Sequence, residues 1–363
     1  MKGLILAGGY GTRLRPITHT SNKHLIPIAN KPMLYYPIQT LKVAGITDIG
    51  IIIGHTEQRI REIKEAVGDG SKFGINVTYI EQDAPRGLAH AVKVAKDYLT
   101  SNNDDGKFVV HLGDNILKGG IMNYVEKFKN GNADCTILLK SIPEPNRFGV
   151  AEIKDGKVVR LVEKPKVPPS DLALVGIYMF NNSVFDSIEK LTPSWRNEYE
   201  ITEAIQGLID SDKKVVHHII DAAWWKDPGD PSGILEANRL VLDELVPFNK
   251  GTVEEGATVV GKVGVEEGST IKAGCSIRGP VVIGKNCVVG ENAYIGPYTS
   301  IGDNTLIENA EIESSIIIGD SKINCKQRII DSLIGRNVTI SSASKNLPKA
   351  CQLVIGENSS VSI

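Results

Sequence analysis

The sequence predicts a mostly parallel, Rossmann-like α/β sheet over residues 1–245, followed by a left-handed parallel β-helix over residues 251–363. Three observations carry this expectation. β-rich runs alternate with helical patterns through the first 240 residues, a glycine-rich turn follows the first strand, and an aliphatic residue recurs at every sixth position from Val253 onward. A chain of 363 residues also exceeds one ordinary core, so two domains are the natural reading.

The first strand is the run Gly3-Leu4-Ile5-Leu6-Ala7, apolar enough to be buried on both faces, and it runs into Gly8-Gly9-Tyr10-Gly11-Thr12-Arg13. Glycines clustered after a strand bring bare backbone N–H groups close to an anion, and Arg13, Arg15, Lys23 and Lys31 follow closely; the pattern reads as a triphosphate cradle. It is not a P-loop, which ends in Gly-Lys-Ser/Thr. Nor is it the dinucleotide fingerprint, which needs glycine where Leu14 stands. Further strands are expected at 49–53, 76–80, 108–112, 136–139 and 215–220, with helices at 56–66 and 88–99. Ligands of such a sheet lie outside the carboxyl ends of its strands, so the turns at 8–13 and 113–115 should open on one edge. A helix over 231–245 ends at Pro247 and Gly251, which mark the joint.

Beyond the joint, Val253, Val259, Val265, Ile271, Ile277, Ile283, Val289, Ile295, Ile301 and Ile307 keep one phase, with Gly284, Gly290, Gly296 and Gly302 at repeated corners. No helix or alternating strand has period six; a coil of three short strands with its aliphatic positions stacked inside does. The phase slips after Ile307, resumes at Ile312 and Ile318, and is picked up again at 334–340 and 355–361. The slip reads as a loop or an irregular coil. The flank of such a stack offers surface for symmetric self-association, so a homo-oligomer is expected, a trimer first among the possibilities.

Composition narrows the function. A formal net charge of −2 leaves no footprint for nucleic acid, so the N-terminal cations serve a small phosphate ligand. No apolar stretch is long enough for a membrane helix, and Met1-Lys2 leads straight into the first strand, which predicts a cytoplasmic protein. Cys135, Cys275, Cys287, Cys325 and Cys351 are widely spaced without a Cys-x-x-Cys, as reduced structural thiols are. All seven histidines lie at or before His218. The repeat region therefore lacks the histidine base that an acyltransferase of this shape would use.

The segment from Leu6 to Thr18, together with Lys23 and Pro27, resembles the signature of sugar-nucleotide pyrophosphorylases, and within them the thymidylyltransferases in a long form with a C-terminal extension. The likeness recurs at 81–89 (Glu-Gln-Asp-Ala-Pro-Arg-Gly-Leu-Ala), 112–115 (Leu-Gly-Asp-Asn), 147–150 (Arg-Phe-Gly-Val), 163–165 (Glu-Lys-Pro), 199–202 (Tyr-Glu-Ile-Thr) and 224–227 (Trp-Trp-Lys-Asp). The resemblance implies a nucleotidyltransferase sheet and a Mg²⁺-dependent transfer of dTMP from dTTP to α-D-glucose 1-phosphate. Gly8, Gly9, Gly11, Thr12 and Arg13 would grip the triphosphate, and Lys23 would stabilise the α-phosphoryl group in flight. Gln82, Gly87 and Leu88 would read the pyrimidine. Gly149, Glu163, Lys164 and Arg196 would hold the sugar phosphate, with Glu200 behind them, while Asp114 and Asp227 would ligate the metal. Each carboxylate has a plainer reading as well, Asp114-Asn115 as an Asx turn and Asp227-Pro228-Gly229 as a loop. The chain departs from the family at Pro228, where a threonine is usual. Arg15 reads as a solvated cation, and Tyr199, Trp224 and Trp225 as packing.

The chemistry asks for charge and geometry rather than a base, because the attacking phosphate oxygen is already negative. UTP is the nearest rival donor, since one methyl separates uracil from thymine and discriminates by about 1–3 kcal/mol. ADP-glucose and GDP-mannose enzymes share the cradle but resemble this chain less around Lys23 and Gln82. A silent ligand-sensing scaffold would have lost charge at the cradle or the metal positions, and here all of it is present.

Overall fold

The computed structural model describes residues 1–103, 105–220, 224–342 and 357–361; Cys351 and the repeat position at Ile355 lie outside the described residues. The chain forms two compact units. One comprises Met1–Tyr10, Asn22–Leu25 and Met33–Asp227, the other Gly11–Ser21, Ile26–Pro32 and Pro228–Ile363. This partition differs from the division drawn at 245–251, and a single buried side chain explains much of the difference. Asn238, on helix Pro231–Leu242, donates to the Tyr298 carbonyl (3.1 Å) and accepts from the Ser300 hydroxyl (2.7 Å) and the Ala29 amide (2.8 Å). The helix and the small hairpin Pro27–Ile28/Lys31–Pro32 thus pack with the repeat strands.

The first unit is built on nine strands: β1 Lys2–Ala7, β2 Asp48–Ile53, β3 Asn76–Glu81, β4 Phe108–Leu112, β5 Cys135–Ser141, β6 Gly149–Lys154, β7 Lys157–Glu163, β8 Leu172–Phe180 and β9 Val215–Ile219. Their order is β7-β6-β8-β4-β1-β2-β3, with β5 on β8 and β9 on β5. Strands β4, β1, β2 and β3 are mutually parallel, the Rossmann-like block that the alternation predicts. Strand β8 runs antiparallel to β4, β5 and β6, and so adds a mixed half to the sheet.

Both faces are covered, which is why the central strands read as continuous apolar runs. Leu4, Leu6 and Val110 pack on one side with α3 (Leu88–Val94) and α5 (Ile201–Asp210); Ile5, Ala7 and Val109 pack on the other with α1 (Tyr35–Val43), α2 (Glu57–Val67) and α4 (Met122–Asn130). The helix expected over 88–99 is two pieces, Leu88–Val94 and Lys96–Thr100, meeting at buried Ala95. Among the described residues no helix is long and apolar enough to cross a membrane.

In the second unit the repeat forms three parallel sheets of six, six and five strands, as the β-helix expectation requires. Val265 pairs with Ile283 and Ile283 with Ile301, eighteen residues on each time, with their side chains stacked in one apolar column. The slip after Ile307 is a shortened coil and not a loop. Ile295 pairs with Ile312 and Ile301 with Ile317, so the ladder continues unbroken while the corners give up residues. The side chain in the apolar column is therefore Ile317, whereas the periodicity points to Ile318, which is half-buried. Val253 and Val259 keep the phase but remain exposed in the first coil.

Candidate active site

The turns after β1 and β4 meet because these strands are parallel neighbours; the Gly113 amide donates to the Leu6 carbonyl at 2.9 Å. This contact sets Gly8 and Gly9 beside Asp114. Lys23 forms an ion pair with Asp114, and the space for its ammonium exists because Gly9 has no side chain: a Cβ there would stand 3.3 Å from Nζ. Burial by itself would raise the Asp114 pKa, but the Lys23 ammonium holds the carboxyl well below the usual carboxylate range.

Asp227 arrives through a two-residue ladder. Ile116–Leu117 pairs antiparallel with Trp225–Lys226, and continuing that register sets Asp227 opposite Asn115. The Asn115 amide nitrogen lies 3.1 Å from Asp114 Oδ1 and 3.5 Å from Asp227 Oδ1. Its oxygen accepts from the Trp225 indole at 2.7 Å and from the Gly176 amide at 3.1 Å, so the buried side chain is locked between two donors and two carboxylates. Asn115 thus joins the candidate site as the bridge between the two carboxylates, although the sequence, which places it inside a recognised motif, gives it no role of its own. Trp225, read as packing, also orients that amide.

The histidine beside Lys23 is inert as a base. Burial first, and the Lys23 charge second, press the His24 pKa down to about 3, and its Nδ1 lies 2.9 Å from Asn22 Oδ1. Asn22 is held in turn by its amide donating to Glu62 at 2.9 Å.

A second cluster gathers around Glu163. Thr202 donates to its Oε2 at 3.2 Å, Arg196 Nη1 stands 3.5 Å from Oε1, and Lys164 Nζ 3.7 Å away. Burial raises the Glu163 pKa, with the Glu200 carboxylate adding to the rise and the two cations opposing it. Arg196 also grips Glu200 at 3.2 Å and Glu198 at 3.0 Å. Lys164 sits in the left-handed region with φ 42°, a conformation that side-chain-bearing residues adopt at a cost and that clusters at functional sites. Gly149 lies against this group: a Cβ there would meet the Thr202 methyl at 2.5 Å, so packing within the protein already demands glycine. Thr202, like Asn115, belonged to a noted motif without having been given a role.

The third cluster follows β3. Gln82 is buried, its amide nitrogen 3.0 Å from His90 Nδ1. Gly87 has φ 104° and a Cβ on it would collide with the Tyr199 backbone, which fixes the start of α3 and the place of half-buried Leu88.

Gly11, Thr12 and Arg13 belong to the second unit. Gly11 is left-handed and its carbonyl accepts from Thr18 at 2.7 Å, while Thr12 and Arg13 form a single 3-10 turn. The Arg13 guanidinium occupies the space that a side chain at Gly229 would fill, which ties the glycine after Pro228 to the cradle arginine.

The Nucleotidyl transferase family matches residues 2–244, and the GMPPB C-terminal domain matches residues 277–362. The chain belongs to the nucleotidyl transferase family. The low-salt glycan biosynthesis nucleotidyltransferase Agl11 of Haloferax volcanii is 48% identical to it over 100% of both chains. A glucose-1-phosphate thymidylyltransferase of Streptomyces antibioticus is likewise 48% identical, over 100% of this chain and 99% of that one. Among solved structures, a Bacillus anthracis chain assigned as glucose-1-phosphate thymidylyltransferase, crystallised with sucrose, has a TM-score of 0.62 and 39% identity, covering 69% of this chain and 98% of its own. In this nucleotidyl transferase the Lys23–Asp114 pair, the Asn115 clamp and the Glu163 group all lie in the first unit.

Proposed function

We propose that the protein transfers dTMP from dTTP to α-D-glucose 1-phosphate, releasing pyrophosphate and dTDP-glucose. The observation that carries the reading is the pair of carboxylates, Asp114 and Asp227, converging on one Asn115 amide next to Lys23. Two hard oxygen donors, completed by phosphate oxygens and water, fit Mg²⁺. When bound, the ion would lower the charge repulsion between the two phosphates. Lys23 holds the α-phosphoryl group, and Gly8, Gly9, Gly11, Thr12 and Arg13 take the rest of the triphosphate by their motif. Lys164 and Arg196 hold the sugar phosphate, Glu163 accepts from sugar hydroxyls beside Gly149, and Gln82, Gly87 and Leu88 receive the base. No side chain needs to take a proton, in keeping with a buried, neutral His24.

Residues 1–245 form the catalytic domain in this reading, and the β-helix of residues 251–363 builds a homo-oligomer, a trimer as the working assembly. A pyrophosphate-release assay with each nucleoside triphosphate and several sugar 1-phosphates tests the substrates. The highest kcat/KM with dTTP and glucose 1-phosphate is expected; preference for UTP would move the activity to uridylyl transfer, and no release with any pair would leave a ligand-sensing scaffold.

A further inference from the structure

His90 has no part in the chemistry above, yet it is one of the most closely held side chains near the base-reading cluster. Its ring stacks on Tyr199 with centroids 6.2 Å apart and planes 28° from parallel, and its Nδ1 lies 3.0 Å from Gln82 Nε2. An amide nitrogen only donates, so Nδ1 accepts and the ring proton sits on Nε2, which is 3.7 Å from Asp83 Oδ1. With Nε2 of Gln82 committed to His90, the amide oxygen is turned the opposite way, toward Gly8, where a Cβ would come within 2.9 Å of it.

We propose that His90 is a positioning residue that locks the Gln82 amide with its oxygen offered to the nucleobase, and thereby selects a base whose ring nitrogen N3 carries a proton. The inference rests on Gln82 being the base reader. Thymine and uracil carry that N3–H donor; cytosine presents a bare N3 acceptor, which would face the Gln82 oxygen lone pair to lone pair.

The lock depends on a neutral imidazole. Once His90 is protonated, Nδ1 becomes a donor facing a donor, and the amide must turn over to present its oxygen to the ring and its NH₂ to the base. Burial lowers the His90 pKa first, Arg86 and Lys93 lower it further, and Asp83 opposes them. Tyr199 covers one ring face. Across a cavity of 340 Å³ lined by His90, Arg86, Lys93 and Tyr199 stands Glu189, which is paired with Lys96 at 2.8 Å. The cavity gives solvent protons a route to the ring. Selectivity for thymine over cytosine is therefore full at neutral pH and falls as the pH drops through the His90 pKa.

The test measures kcat/KM for dTTP and dCTP with unmodified protein across acidic to neutral pH, and with His90→Phe, which keeps the ring stack but removes the acceptor. The dTTP:dCTP ratio should drop about tenfold in His90→Phe, the equivalent of one hydrogen bond, and lose its pH dependence. A ratio within twofold of the unmodified protein's in a folded variant overturns the proposal. So does a pH-independent ratio in the unmodified protein, a measurement that needs no variant. Gln82→Leu separates the two levels: if it spares dTTP affinity, Gln82 is not the base reader and both readings fall. If it abolishes that affinity while His90→Phe changes nothing, the relay alone is wrong.

Discussion

Asn115 organises the candidate active site out of proportion to its size. Its one amide ties Asp114 to Asp227 and is itself tied to Trp225 and Gly176. Asp114→Asn or Asp227→Asn should lower kcat by more than about a hundredfold with circular dichroism unchanged, since charge is lost and packing is not. Asn115→Ala should do something different. It leaves the Trp225 and Gly176 donors buried and unpaired, a destabilisation of about 1–3 kcal/mol that chemical denaturation would read, together with a fall in kcat. Lys164→Ala should raise KM for glucose 1-phosphate well above any change in KM for dTTP; equal losses would show that the two phosphates are assigned to the wrong groups. Acid should act through Asp114. Its folded pKa lies below its unfolded one, so its ion pair stabilises the fold above the ordinary aspartate pKa and is lost as the pH falls below it. The drop in Tm between neutral and acidic solution should accordingly be smaller in Asp114→Asn than in the unmodified protein.

At the scale of elements, short pieces decide where the functional side chains arrive. The ladder between Ile116–Leu117 and Trp225–Lys226 is two residues long on each side, yet it brings residue 227 to residue 115 across more than a hundred positions of chain. The end of α4 is managed with similar economy: Lys107 sends its ammonium to the carbonyls of Phe128 (3.0 Å), Lys129 (3.0 Å) and Gly131 (2.8 Å). A cation there satisfies the last unpaired carbonyls and faces the negative end of the helix. Lys107→Met should therefore cost about 1 kcal/mol of unfolding free energy while kcat stays as it was. In the β-helix, the steps from Ile307 to Ile312, Ile312 to Ile317 and Ile329 to Ile334 each give up one residue at a corner, where Asn309, Ser314 and Asp331 turn with positive φ, and the stack stays in register.

For the molecule as a whole, the helix Pro231–Leu242 and the hairpin at 27–32 share buried contacts with the repeat strands through Asn238 and through Asn30, whose amide donates to the Ile301 carbonyl at 2.6 Å. Truncation after Leu245 would leave these polar groups without their partners. The expected result is a protein that unfolds at lower temperature than the full chain and changes its assembly state, read by calorimetry and light scattering. A truncated chain as stable and as active as the whole would show that the helix and hairpin stand without the repeat. A monomeric full-length protein would defeat the proposed oligomer.

Much of this was legible in the chain. The apolar runs of β1, β2 and β4 and the aliphatic residue at every sixth position are local patterns, set by what a buried strand or a three-sided coil must place inside, and they fold as read. The meeting of glycine, cation and carboxylate after β1 and β4 was legible too, because parallel neighbouring strands deliver the turns that follow them to one edge of the sheet. Sequence could not disclose the company each of them keeps. Asn115 and Thr202 lay unremarked inside recognised motifs, since an amide or a hydroxyl gains its role from whichever carboxylates arrive from distant strands. Lys164 gave no hint of its left-handed backbone, and the helix at 231–242, which chain order places with the first domain, bonds to the repeat strands through buried Asn238. Periodicity reports the environment along one element; contacts between residues a hundred positions apart depend on strand order and register, which arise only when the sheets assemble.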